Sequence, residues 1–197
     1  MSSSSPLRLV VFGRQGSGKG TQCKLLAERR GIVHVSTGDM LREAVSDDSA
    51  LGRRVREYVE AGDLVPDELV IELVTDRLGR VDAKTRGWVL DGFPRTLEQA
   101  EALLDAIRPD GITLAIELVV PVEVVVERMK GRGRSDDTEE AIRRRLELYE
   151  RETVPAVEMF AAKGLLARVD GVGTVDEIAE RVEHAIDERL GKVGSPR

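Results

Sequence analysis

The segment Leu7 to Gln22, LRLVVFGRQGSGKGTQ, constrains the fold of this chain more tightly than any other. The apolar run Leu9 to Phe12 suits a buried strand, glycines follow at 13, 16, 18 and 20, and Leu25, Leu26 and Ala27 begin a helical pattern. Strand, glycine loop and helix in immediate succession predict a loop whose backbone N–H groups converge on phosphate oxygens, which demands φ values that a Cβ would penalise. The helix start adds unpaired N–H groups and the positive end of its dipole, and Lys19 supplies an ammonium for the outer phosphates. Gly16, Ser17, Gly18, Lys19, Gly20 and Thr21 are therefore the candidate cradle for a nucleoside triphosphate. Gly20 stands where such loops usually place a hydroxyl that holds Mg²⁺, so the metal must be positioned in another way. A βα turn with no ligand is the plain structural alternative, and the flanking strand and helix argue against it.

At 197 residues the chain is long enough for one globular domain with a sizeable core. Its net charge of −6 repels nucleic acid and anionic membranes, so any anion must be captured locally. Cys23 is the only cysteine, which excludes an internal disulfide and a multi-cysteine zinc site and fits a reducing cytoplasm. The N-terminal MSSSSP has neither the basic start nor the apolar core of a signal peptide, and no apolar run reaches transmembrane length.

Further strands are expected at Val33 to Val35, Trp88 to Leu90, Thr113 to Val120 and Leu165 to Val169, with helical periodicity between them. Alternating strands and helices imply right-handed crossovers and a parallel sheet covered on both faces. The two helical stripes between Ala50 and Gly79 form an insertion beside that core. A long helix spans Thr138 to Phe160, with a bend expected near Pro155.

Four more clusters would lie at the carboxyl ends of strands, where α/β proteins bind ligands. In VSTGDMLR, Ser36, Thr37 and Asp39 could simply cap a helix. In GDLVPDELV, a loop could close over a planar base, or could be a helix C-cap followed by a Pro-Asp helix start. In WVLDGFPRT, a buried strand delivers Asp91 into a tight turn, where a carboxylate beside a phosphate loop can hold Mg²⁺ or its waters. Thr96 and Gln99 have capping-box spacing at the next helix. In the last cluster, Glu127 to Glu150, the acidic residues suit helix N-caps, but a 100° step from Ile142 puts Arg145 on the apolar arc with Leu146, Leu148 and Tyr149. Arg143 and Arg144 fall outside it. An arginine on the inward arc needs an anionic partner, a carboxylate or a substrate phosphate.

These five segments, in this order and spacing, resemble the adenylate kinases from about Leu7 to Leu190. The resemblance implies a single P-loop NTPase-type domain: a five-stranded parallel α/β sheet flanked by helices, an AMP-binding insertion over about 36–65 and a short lid over about 131–137. The activity implied is Mg²⁺-dependent, reversible phosphoryl transfer from ATP to AMP, giving two ADP, in a monomeric cytoplasmic enzyme with no nucleic-acid or membrane partner and no zinc. By the same resemblance Gly16 to Thr21 wrap the ATP phosphates. Thr37, Arg42, the backbone of Asp63, Leu64 and Val65, then Gly92, Phe93, Pro94, Arg95 and Gln99 hold AMP, with Arg42 and Arg95 on its phosphate. Arg128 stacks on the ATP adenine, Gly173 meets the base through its backbone, and Arg132 reaches the ATP phosphates. Arg134 and Arg145 act at the transferring group, contacting AMP as well, while Asp136 and Asp137 orient the arginines. Asp91 positions Mg²⁺ through water.

One departure stands out: Gln15 occupies a position where the family loop usually has proline. Two other readings remain at this stage, a pyrimidine monophosphate acceptor and a nucleotide-binding protein without catalysis. Thr37 and Gln99 disfavour the pyrimidine acceptor, and a GTP switch is disfavoured because a chain without asparagine cannot carry the NKxD guanine-reading motif.

Overall fold

The computed structural model describes residues 6–47, 49–61, 63–132 and 138–191. Five strands, β1 (Arg8–Phe12), β2 (Val33–Ser36), β3 (Trp88–Asp91), β4 (Leu114–Val119) and β5 (Leu166–Asp170), form one parallel sheet in the order β2-β3-β1-β4-β5. Each strand lies within a residue or so of its expected place. Their alternation splits the core in two. Val10, Phe12, Trp88, Leu90 and Ala115 pack on one face with Phe160 and Val74, and Leu9, Val11, Val89 and Ile116 pack on the other with Leu26, Ile178 and Val182. Burial of each such large side chain contributes about 1.5–3 kcal/mol.

Helix α1 (Lys19–Arg30) returns from β1 to β2, and the insertion then departs from the sheet as α2 (Thr37–Ser46) and α3 (Ala50–Ala61). Gly52 lets α3 cross against α2 backbone to backbone: a Cβ there would lie 1.9 Å from the Ala44 carbonyl oxygen. α4 (Asp67–Gly79) and a short α5 (Val81–Arg86), not foreseen as a separate element, lead back to β3. α6 (Leu97–Ala106), α7 (Val122–Arg132) and α10 (Val175–Arg189) complete the layers.

The expected bend near Pro155 takes a different form. α8 (Glu139–Leu148) runs into a π-helical turn (Tyr149–Thr153) and then α9 (Val154–Ala162), without a break. Proline lacks an N–H and its ring crowds the carbonyl four residues earlier. The widened turn relieves that crowding, and the Val154 N–H instead reaches the Tyr149 carbonyl, five residues back.

Parallel strands put all their carboxyl ends on one side. The register aligns Asp91 with Val11 on one neighbour and Ser36 on the other, so the loops after β1, β2 and β3 open side by side.

Candidate active site

The loop after β1 is shaped by its glycines. Gly18 caps α1 at φ 94°, and Gly16, at φ 87°, presses onto α7, where a Cβ would sit 2.7 Å from the Val125 carbonyl oxygen. The Arg14 carbonyl organises the turn, accepting from the Ser17 N–H at 3.0 Å and from the Lys19 ammonium at 3.1 Å. Ser17 is fully buried and its hydroxyl has no hydrogen-bond partner. Thr21 is exposed on the first turn of α1.

A tie not foreseen in the sequence fixes this loop from behind. The Arg14 guanidinium donates to Glu150 Oε1 at 2.8 Å and lies 5.5 Å from the centre of the Tyr149 ring, a cation–π contact. Tyr149 in turn donates to Glu117 at 3.2 Å, and burial, reinforced by that carboxylate, pushes its phenol pKa up. Arg128 spans the loop, donating to the carbonyls of Ser17 (3.4 Å) and Gly171 (3.2 Å). Gly173 lies exposed two residues further on.

The expected AMP residues come from three places. Ser36 caps α2 by accepting from the Asp39 N–H at 3.3 Å, and Arg42 donates to Asp39 at 2.5 Å. Thr37 is 2% exposed, and its hydroxyl donates to the Gly92 carbonyl at 3.0 Å, linking α2 to the β3 turn. In that turn Phe93 and Pro94 are buried and the Arg95 Nε donates to the Gly92 carbonyl at 2.8 Å. Asp63 and Leu64 are half-buried, Val65 joins the core, and the Asp63 N–H is bonded to the Tyr58 carbonyl at 2.9 Å.

Gln99 differs from a capping box. Thr96 does accept from the Gln99 N–H at 3.2 Å, but the Gln99 side chain reaches past Thr96, accepting from the Arg95 N–H (2.8 Å) and donating to Asp67 (2.7 Å). Asp67, which the sequence marked only as a helix start, also accepts from the Thr96 hydroxyl at 2.6 Å. It locks the loop before α4 to the start of α6.

Charge gathers between the two halves. Burial raises the Asp91 carboxyl pKa, but His34, Lys19 and Arg95 together outweigh it and hold the group below its usual range. Asp91 therefore stays ionised. A Cβ on Gly20 would stand 3.3 Å from Asp91 Oδ2, so the missing side chain at the hydroxyl position keeps space open in front of this carboxylate. Arg95 is exposed, and its guanidinium feels the positive charges of Arg145 and Arg42 against the opposing pull of Asp91. Arg145 is half-buried, and Arg143 is exposed. Arg144 is exposed too, but it does not merely point away, since its guanidinium pairs with Asp63. Arg132 ends α7. The expected Arg134, Asp136 and Asp137 lie outside the described residues.

The adenylate kinase family model matches residues 11–165. Adenylate kinase of Mycobacteroides abscessus is 45% identical over 182 residues, covering 91% of this chain and 99% of that protein. Adenylate kinase of Nocardia farcinica is 46% identical with the same coverage, and adenylate kinase 1 of a Nostoc species is 44% identical over 93% of this chain and 98% of its own. The chain belongs to the adenylate kinase family. Its five-stranded parallel sheet and phosphate loop are those of an adenylate kinase, and among the described residues no helix is long and apolar enough to cross a membrane.

Proposed function

We propose that this chain transfers the terminal phosphoryl group of ATP to AMP, reversibly, giving two ADP. The observation that carries this reading is the glycine-shaped phosphate loop, whose Lys19 sits on the Arg14 carbonyl and whose Gly20 faces Asp91, opening beside the β3 turn that carries Arg95. Guanidinium groups match phosphate oxygens in charge and geometry, and two nucleotides meeting end to end supply those oxygens.

In-line phosphoryl transfer needs alignment and charge neutralisation more than covalent help. The loop Gly16 to Thr21 holds the ATP phosphates, and Lys19 leaves the Arg14 carbonyl to reach them. Arg128 and the Gly173 backbone flank the ATP base. Thr37, the segment Asp63 to Val65, the turn Gly92 to Arg95 and Gln99 shape the AMP site, with Arg42 and Arg95 on its phosphate. Gln99 is already bonded to Asp67 and the Arg95 N–H, so it positions Arg95 as well as facing the base. Arg145, with Arg132 and Arg134 from the lid, takes the charge of the transferring group, while Asp136 and Asp137 orient the arginines. Closure over 36–65 and 131–137 excludes water, whose attack would waste ATP.

Mg²⁺ is a hard cation that keeps several waters and takes one or two carboxylates with substrate phosphates. Asp91, held ionised and fronted by the space at Gly20, fits that demand and would hold the ion through water. When bound, Mg²⁺ neutralises charge on the phosphates. We place the enzyme as a monomer in the cytoplasm, acting on small nucleotides, and its net charge of −6 supports that by repelling nucleic acid.

The test is ADP formation from ATP and Mg²⁺ with AMP, UMP, CMP and GMP offered in turn. AMP should be strongly preferred. Equal rates with UMP or CMP would overturn the choice of acceptor, and no transfer to any of them would leave a nucleotide-binding protein.

A further inference from the structure

The phosphate loop covers a second group of metal-ligating side chains. Cys23 on α1, His34 on β2 and Asp91 at the end of β3 each offer one ligand atom, and these atoms all lie within 4.8 Å of one another. Sheet order brings them together: His34 pairs in register with Val89, so Asp91 lies two residues along the neighbouring strand, on the same side. His34 Nε2 is buried, stands 3.4 Å from Asp91 Oδ2, and has no hydrogen-bond partner. Cys23 is fully buried, whereas His34 and Asp91 keep 17% and 14% of their side chains open to solvent.

From this geometry we propose that Cys23, His34 and Asp91 form a binding site for a thiophilic divalent cation of the Zn²⁺ type, and that filling it inhibits the enzyme. Thiolate, imidazole and carboxylate are the ligand set that Zn²⁺ accepts, with bonds of about 2.3, 2.0–2.1 and 2.0–2.2 Å. A tetrahedral centre with such bonds separates its ligand atoms by roughly 3.3–3.6 Å. The 3.4 Å between His34 and Asp91 already matches, and the sulfur lies within 4.8 Å of both. One thiolate and one carboxylate balance the charge of the ion. The Cys23 thiol is held protonated by burial, so binding forms the sulfur–metal bond and releases one proton to solvent. The single-cysteine argument excludes a thiolate-only zinc site but not this mixed one, and the lid has no part in it.

Inhibition rests on the reading of Asp91 as the residue that positions Mg²⁺. A cation seated on Cys23 and His34 takes that carboxylate for itself. Neither Cys23 nor His34 touches nucleotide in the proposed mechanism, so both can be altered without removing a substrate contact.

The test separates binding from catalysis. Nucleotide-free protein is titrated with Co²⁺, a spectroscopic stand-in for Zn²⁺, and the thiolate-to-cobalt charge-transfer band and the ligand-field bands of a four-coordinate ion are recorded. One equivalent should develop both. Cys23→Ser should abolish the charge-transfer band, and His34→Gln should weaken binding by at least about tenfold, the loss that follows disturbance of even an outer partner of a metal ligand. Each variant is first checked for a native circular dichroism spectrum and for transfer with Mg²⁺ and ATP, and a second pair, Cys23→Ala and His34→Asn, replaces any that fails to fold. No band in the wild type, or a band indifferent to both His34 variants, would overturn the site. Zn²⁺ should then slow transfer in the wild type and spare Cys23→Ser. Cobalt binding without zinc inhibition would overturn the inhibitory role alone.

Discussion

Arg144 on α8 and Asp63 in the loop after α3 form a two-point ion pair, Nε to Oδ1 at 2.5 Å and Nη2 to Oδ2 at 2.9 Å, across 81 residues of sequence. It joins the helix that carries Arg145 to the segment expected to hold AMP. The neighbouring arginines thus differ, Arg144 exposed and paired with Asp63, and Arg145 half-buried.

The two should separate kinetically. Arg145→Ala removes charge from the transferring group and should lower turnover by roughly 10³-fold or more. Arg144→Ala breaks a pair whose arginine is 57% exposed, and such pairs are worth about 0.2–1 kcal/mol. It should raise KM for AMP by no more than about fivefold, with turnover nearly intact. Steady-state rates at varied AMP decide this, and equal losses for the two variants would return Arg145 to the solvated surface.

Lys19→Met should abolish transfer without unfolding the chain. The ammonium is half-buried and held by the Arg14 carbonyl, so the change deletes a phosphate charge and leaves the core intact. Coupled-assay turnover and thermal unfolding, measured side by side, check both halves. Near-normal turnover would show that the loop is not the cradle.

Gly52→Ala should disable the insertion selectively. The added methyl would stand 1.9 Å from the Ala44 carbonyl oxygen, so α2 and α3 must move apart. Overpacking of this kind costs about 1–3 kcal/mol. Titration calorimetry should show AMP binding weakened at least tenfold while a non-hydrolysable ATP analogue binds as before. If ATP binding falls equally, α2 and α3 are not a separable AMP module.

Acid should erase one helix cap. Glu177 accepts from the Thr174 N–H at 2.8 Å while Thr174 accepts from the Glu177 N–H at 3.3 Å, and the first of these bonds chiefly lowers the Glu177 pKa. A carboxyl with a depressed folded pKa stabilises fully above its unfolded value, about 4.3, and loses that contribution as pH falls through the folded one. Urea unfolding should therefore show wild type exceeding Glu177→Gln at pH 7, with the gap narrowing below about pH 4. A gap unchanged across that range would mean the bond owes nothing to ionisation.

The phosphate loop was legible in the sequence because its constraint is local: glycine, lysine and helix start lie within a few residues of one another. The sheet was legible because buried parallel strands are short β-branched runs between helical stripes, and the partial burial of Arg145 beside exposed Arg143 and Arg144 because a helical period fixes a face. Pairings were not legible. Nothing within eighty residues of Arg144 names Asp63, and the Arg14 tie to Glu150 spans 136 positions. Cys23, His34 and Asp91 sit on three elements, and only the strand order makes them neighbours. Gln99 fell between these cases, its spacing announcing a cap while its partners Asp67 and Arg95 came from the fold.

The π-turn at Tyr149–Thr153 gives this last lesson a geometric form. In the sequence, Ile142, Tyr149, Thr153 and Phe160 keep step with one unbroken helical period and draw a single straight stripe. One widened turn makes the chain lag by about the rotation of a residue, roughly 100°, so that the stripe is wrung partway round the axis. Ahead of the lag the helix carries the half-buried Arg145, and beyond it Phe160 meets Phe12 on the sheet at 5.5 Å. A single rod is thereby wall to the cleft at one end and roof to the sheet at the other.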